Sequence, residues 1–253
     1  MKFNDIKPAE LENDEILVRL FGELEMENKW GSLDEKTARP HALTWPTLKY
    51  LLVNSNRDVD REELLALEYP GKNVTTQDGA MRTRLRRVRD ILKPLQLEHI
   101  HGLILFGEGK YRINPEYTLL TDEDAFNLLM RRLKKTSADE PEGLQVCTEA
   151  LELCRGVYLG YTRDAEWLRP YQEHYTREFC RLCKDTIRRM KALDDDSAAT
   201  LLWRRAIVVA PEEEELHKDI IRFLMERRQD TELLRYVSQL AHKGARWLDE
   251  FEY

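Results

Sequence analysis

The chain has 253 residues, room for one or two domains, and two are expected. Its longest apolar stretches, Leu103 to Phe106 and Ala206 to Ala210, are far too short to span a bilayer, and no signal-peptide pattern opens the sequence. A cytoplasmic protein without a membrane helix is therefore expected. The formal charge of −7 argues against a polyanion partner only until its distribution is examined: residues 72–112 hold nine Lys/Arg against four Asp/Glu. A polyanion responds to the local field of a surface, so an acidic chain can still present a basic face.

The first half mixes strand and helix patterns. Ile16 to Phe21 and Gly22 to Met26 alternate as two strands, and the polar stretch with Gly31, Ser32 and Asp34 reads as turns. A short helix over 43–53 is predicted from Leu48, Leu51 and Leu52, with Pro46 tolerated in the first turn. Asp60 followed by Glu63 has the capping-box spacing, with Val59 and Leu64 as a hydrophobic staple, so a second helix runs from there to about Glu68. Pro70 and Gly71 end it. A third helix opens near Thr75 or Thr76 and continues to about Leu92. Two strands follow, His99 to Phe106 and Lys110 to Asn114, around a turn at Gly107, Glu108 and Gly109. Three helices and a hairpin, preceded by strands, is the order of a winged helix carrying an N-terminal sheet.

From Thr121 onward helix follows helix, with segments near 122–135, 142–155, 165–192, 197–209, 213–228 and 231–242. Pairs of this length suggest a short tetratricopeptide-like solenoid. The expected organisation is an α+β domain over 1–117 and an all-α domain over 118–253.

The third helix concentrates the chemistry. At about 100° per residue, Met81, Leu85, Val88 and Leu92 form one buried stripe. Thr83, Arg86 and Asp90 point away from it, with Arg82, Arg89 and Lys93 on one flank and Arg87 on the other. A guanidinium can take guanine O6 and N7 in bidentate fashion, and an α-helix fits the major groove. Arg82, Thr83, Arg86, Arg87 and Arg89 are the expected groove contacts. Thr76, Lys93, Lys110 and Arg112 are the expected phosphate contacts, the last two from the hairpin acting as a wing.

The remaining signals are weaker. Cys180 and Cys183 have a CxxC spacing but lie within a helical pattern with no second pair and no histidine at ligand spacing; Cys147 and Cys154 read as small buried apolar groups. Asn73-Val74-Thr75 matches a glycosylation pattern by chance. The six histidines show no HExxH or triad spacing, and no nucleophile elbow, dinucleotide fingerprint or P-loop is present. Neither an enzyme nor a cofactor or metal is expected.

Several segments resemble one family. Arg86-Arg87-Val88-Arg89 with Ile91-Leu92 is similar to the end of the recognition helix in OmpR/PhoB-type domains. Gly109-Lys110-Tyr111-Arg112-Ile113-Asn114 is similar to the wing strand of bacterial transcriptional activators, and Asp122 with Phe126 matches the D-x-x-x-F that opens their second domain. The run Ala150-Leu151-Glu152-Leu153-Cys154-Arg155-Gly156-Val157-Tyr158-Leu159, then Glu166-Trp167, resembles the signature of the bacterial transcriptional activator domain, with Cys154 in place of the usual Tyr. Glu215 and Leu224-Met225 resemble a later helix of that domain. In the signature, Leu151, Leu153, Leu159 and Trp167 read as core and Gly156 as a helix cap.

The resemblance implies an antibiotic-regulatory-protein-like transcriptional activator that binds double-stranded promoter DNA, often as a homodimer on direct repeats, and contacts RNA polymerase. It implies no operator and no effector. With no receiver domain or NTPase loop in the sequence, the regulatory input is expected from a partner protein, from concentration or from a small effector at the helical domain; a longer gene product is the other option. The alternative reading is a protein–protein adaptor that uses the helical domain, with the winged helix as a docking module.

Overall fold

The computed structural model describes residues 2–37, 44–68, 78–97, 102–160, 165–245 and 248. Among them the chain separates into two compact units, one built from 3–122 with 159–170, the other from 123–158 with 171 onward.

The first unit begins with strands β1 (Glu15–Arg19), β2 (Glu25–Asn28) and β3 (Gly31–Asp34). β1 pairs antiparallel with β2, and β2 with β3. The second strand therefore starts three residues later than its alternation suggested, because Gly22 takes a φ of 111° and spends the Gly22–Leu24 stretch on the turn. The polar stretch read as turns is β3. Its Leu33 is buried while Ser32 is exposed, a one-sided edge strand too polar to announce itself.

Helices α1 (Thr44–Val53), α2 (Arg61–Glu68) and α3 (Asp78–Leu92) follow, with the two-residue strand β4 (Val59–Asp60) between the first two. The start of the third helix near Thr76 lies outside the described residues. Glu63, the glutamate of the expected capping box, accepts from the Arg57 guanidinium at 3.0 Å and from the Tyr50 hydroxyl. The hairpin is β5 (Ile104–Gly107) and β6 (Lys110–Ile113), and β4 adds to β6 to give the order β4-β6-β5. The strand expected from His99 is thus described only from Ile104.

One strand was missed. β7 (Thr118–Thr121) pairs in parallel with β1, Glu15 opposite Thr118 and Val18 opposite Thr121, and completes a sheet of order β3-β2-β1-β7. A partner more than a hundred residues away leaves no local signal. The sequence-based boundary at 117/118 falls just before this strand, and contacts group 118–122 and 159–170 with the first unit.

The second unit is helical: α4 (Asp122–Leu133, from its second residue), α5 (Pro141–Leu153), α6 (Arg169–Leu193, mostly), α7 (Ala199–Val209), α8 (Glu214–Glu226) and α9 (Asp230–His242). All six lie within a few residues of their predicted spans. Leu151, Phe179, Leu182, Trp203, Ile220 and Phe223 are buried almost completely, which is the apolar stripe each helix must hide. Cys147, Cys154 and Cys183 are buried free thiols and Cys180 is half-buried. No helix among the described residues is long and apolar enough to cross a membrane. Gly156 does not cap α5: the helix ends at Leu153, and the left-handed positions fall later, at Leu159 and Gly160 with φ of 55° and 57°.

Two buried polar groups organise this unit. Arg189 of α6 is 0% exposed; its guanidinium donates to the carbonyls of Leu133 (3.3 Å), Thr136 (2.9 Å) and Ser137, and its Nε donates to Asp185 (3.0 Å). It thereby ties the last carbonyl of α4 and two carbonyls of the turn that follows to α6. Gly143 makes the space: a Cβ there would lie 1.9 Å from Arg189 Nη1. Glycine to alanine inside a helix ordinarily stabilises by about 1 kcal/mol. Here the guanidinium is pinned by its carbonyls and cannot retreat, so Gly143→Ala is expected to lower stability in chemical denaturation. A gain would show that Arg189 relaxes freely.

His217 of α8 is fully buried, with Nδ1 2.5 Å from the Tyr236 hydroxyl and Nε2 3.2 Å from the Pro211 carbonyl oxygen. Burial holds its pKa below 6.5, so the folded state keeps it neutral where the unfolded chain begins to take a proton. More protons on the unfolded state mean that this contribution is intact above about pH 6.5 and fades as the pH falls toward the folded-state pKa. The melting temperature should drop between pH 7 and 5, and less steeply in His217→Gln. Parallel curves would remove His217 from the cause.

Candidate nucleic-acid interface

Helix α3 divides as its periodicity predicts. Met81, Leu85, Val88 and Leu92 are buried, while Arg82, Thr83, Arg86, Arg89 and Asp90 are exposed and Arg87 is half-buried. Met81, Leu85 and Val88 are 3% exposed or less, so rotation of the helix about its axis would bring charge into the core. The end of the helix is fixed as well. A 3-10 turn over Lys93–Leu95 follows directly, the Asn28 side chain donates to the Leu95 carbonyl at 2.7 Å, and Gly31 approaches so closely that a Cβ would lie 2.2 Å from the Pro94 carbonyl oxygen. The first sheet therefore holds the helix by its C-terminal end.

One arginine departs from the basic face. Arg84 is 5% exposed, and burial, with Arg87 adding repulsion, pushes its guanidinium down to about 10. Three residues after Met81 and four before Val88, it sits beside the apolar stripe, so the wheel could have separated it from its neighbours. The basic face is consequently Arg82, Arg86, Arg87 and Arg89. The Thr83 hydroxyl donates to the Gly79 carbonyl at 2.8 Å, the usual resting place of a helical threonine. Lys93 is exposed and 2.8 Å from Asp90. Thr76 lies outside the described residues.

The hairpin brings its charges to the same neighbourhood. Gly107 pairs with Lys110 across a two-residue turn in which Glu108 and Gly109 both have positive φ, 52° and 78°. That is the conformation whose twist suits a β-hairpin. The Arg61 backbone N–H donates to the Gly109 carbonyl at 3.0 Å and anchors the turn to the start of α2. Lys110 and Arg112 are exposed on β6, with Lys110 4.0 Å from Asp60.

Between them, Tyr111 is buried and its phenol is pushed up by that burial. Arg61, Arg89 and Arg82 each pull it back down, which places those three guanidiniums within electrostatic reach of one wing residue. Arg89 and Leu92 also line one cavity with Leu103 and Ile104, so the end of α3 faces the start of β5. Arg61 was not singled out from the sequence, since a lone arginine at a helix start carries no pattern. Nor was Phe106, which is 54% exposed and lies against Tyr111 with ring centroids 4.5 Å apart. Among the described residues no group of His, Cys, Asp and Glu is arranged to hold a metal ion.

No protein-family model matches the chain, and no curated protein does. Among solved structures it is similar to Mycobacterium tuberculosis EmbR in complex with a low affinity phosphopeptide. The TM-score is 0.63, and the match covers 93% of this chain and 60% of that one at 16% identity. The fold is that of this neighbour. A winged helix preceded by a sheet and followed by a helical domain is common to both, and the chain spans less than two thirds of EmbR.

The hairpin turn offers a direct test of this geometry. Glu108 pays for a left-handed backbone that asparagine adopts more readily. Glu108→Asn is expected to raise stability by about 0.5–1 kcal/mol in urea unfolding. A loss would mean that the turn has another shape.

Proposed function

We propose that the chain is a sequence-specific DNA-binding transcriptional regulator, an activator by the resemblance of its sequence, which lays α3 in the major groove and the β5–β6 wing on the adjacent backbone. The observation that carries this reading is the split of α3. Four arginines lie on the surface of a helix whose other side is locked in the core, beside a hairpin bearing Lys110 and Arg112. In this arrangement Arg82, Thr83, Arg86, Arg87 and Arg89 address base edges, whereas Thr76, Lys93, Lys110 and Arg112 address phosphates. Asp90 and Asp60, now beside Lys93 and Lys110, would be exchanged for phosphate on binding. Promoter DNA is the primary partner; RNA polymerase and a second copy of the chain follow from the family resemblance. The phosphopeptide is a ligand of EmbR, part of which has no counterpart here.

The test is binding of the purified chain to its own upstream DNA and to a scrambled duplex across a salt series. Selective binding on the order of 10³-fold or better is expected near physiological salt. Each phosphate contact should contribute about 0.9 to the slope of log affinity against log salt. Arg86→Ala or Arg87→Ala should remove about 1–3 kcal/mol if the side chain reads a base. Arg84→Met should leave the salt slope unaltered, since that side chain is inside the fold. Weak and equal binding of both duplexes would overturn the reading in favour of an adaptor.

A further inference from the structure

The helical unit carries a second basic surface of a different shape. An open groove of about 680 Å³ runs between the end of α4 and the middle of α6. Its floor is apolar, formed by Met130 and Leu133, which are 7% and 5% exposed. Its rim is cationic. Lys134 stands on one side, and Arg181, Lys184 and Arg188 line the other at spacings of three and four residues, a single stripe along α6. All four are exposed.

The counter-charges offset this field only in part. Asp185 is the acidic residue of the lining, and its carboxylate is shared between Arg188 and the buried Arg189. Arg181 is 2.9 Å from Glu178, and Lys184 is 3.9 Å from Asp219, at the edge of ion-pair range. Lys134 forms no ion pair among the described residues. The Arg181 and Lys184 pairs are of the surface kind, weak and readily exchanged for a better-placed anion, whereas Asp185 stays on Arg189. The backbone segments that carry the cations are held together, because Arg189 fixes the end of α4 and the turn after it against α6 through three carbonyls.

Shape decides between anions. A duplex is stiff and convex, and its phosphates have no use for an apolar floor. A flexible chain with carboxylates on both sides of a large apolar residue would use both features of the groove. The volume falls within the range of ordinary ligand clefts. We propose that this groove docks a short acidic peptide segment of a partner protein, its carboxylates on Lys134, Lys184 and Arg188 and an apolar side chain on Met130 and Leu133. The inference does not rest on DNA binding by α3.

The experiment uses the full chain and fluorescence anisotropy of three labelled synthetic peptides. The first alternates Glu and Asp with Leu and Phe; the second replaces the acids by Gln and Asn; the third replaces Leu and Phe by Ser. Saturable binding of the first alone is expected, weakened by salt. Lys134→Gln/Lys184→Gln should weaken it roughly tenfold, the equivalent of two modest charge contacts. Both side chains are exposed, so thermal unfolding should be unaltered; if it is not, Lys134→Gln alone supplies the comparison, with a roughly three-fold loss. Equal binding of acidic and neutral peptides, or undiminished binding to the variant, would overturn the proposal. So would binding of a phosphoserine peptide in place of the carboxylate one, or of random duplex DNA through the same lysines.

Discussion

The first unit depends on one connected set of buried polar contacts. The Asp122 carboxylate, 1% exposed, accepts from the backbone N–H groups of Leu20 (2.7 Å) and Phe21 (3.1 Å). The Leu20 carbonyl accepts from Leu159 at 2.6 Å, and the Leu159 carbonyl accepts from the fully buried Lys49 at 2.7 Å. Lys49 is 2.9 Å from Glu35, whose carboxylate also takes the Leu24 N–H at 3.1 Å. Removing any one partner strands a charge or a peptide group away from water, at a cost of several kcal/mol. Burial alone would push the lysine toward neutrality; Glu35 and Glu23 oppose it. The set holds together because each buried charge is met, Lys49 by Glu35 and Asp122 by two peptide N–H groups.

That set also places the candidate interface. Lys49 lies on α1, and α1 packs against both α3 and β6. Tyr50, the next residue, donates to Glu63 of α2, which Arg57 also binds, so the first two helices are tied at the same level. Trp167 of the 159–170 segment meets Tyr50 edge to face at 4.9 Å. A helix that carries four outward arginines gains no stability from them, and their mutual repulsion works against it. Its position has to come from Met81, Leu85 and Val88 against this scaffold and from the Asn28–Leu95 contact at its end. Exposed cations are then free to act on a ligand, because none of them is needed to hold the fold.

This division explains what the sequence could and could not disclose. Helices α4 to α9 were legible because each carries its own apolar period, and α3 because its stripe and its charges alternate at the same period. The start of α2 was legible for the same reason: the signal is local. β3 and β7 were not, since one is polar on its outer side and the other is defined by a strand a hundred residues away. Arg84 is assigned to neither face by the sequence reading, although its spacing from Met81 and Val88 turns it inward. Asp122 and Leu159 stood out as matches to a family pattern. Only the structure gives their physical role, a carboxylate and a left-handed residue that join distant backbone segments.

An acidic chain can carry basic surfaces where its charges are unevenly placed, and the carboxylates beside the two surfaces are held differently in the two units. On α3 and the wing the acids Asp90 and Asp60 sit among the cations as exposed partners, and Glu108 stands exposed in the hairpin turn. Solvent screens such pairs, and a phosphate can replace them at little cost. In the helical unit Asp185 is drawn inward by Arg189 and cannot leave without exposing a buried guanidinium to an unpaired state. Its charge is therefore committed to the fold and stays shared with Arg188, while Lys134 and Lys184 keep theirs for a ligand. The first surface suits a partner that competes with salt along an extended polyanion; the second suits one that must be held at a fixed place.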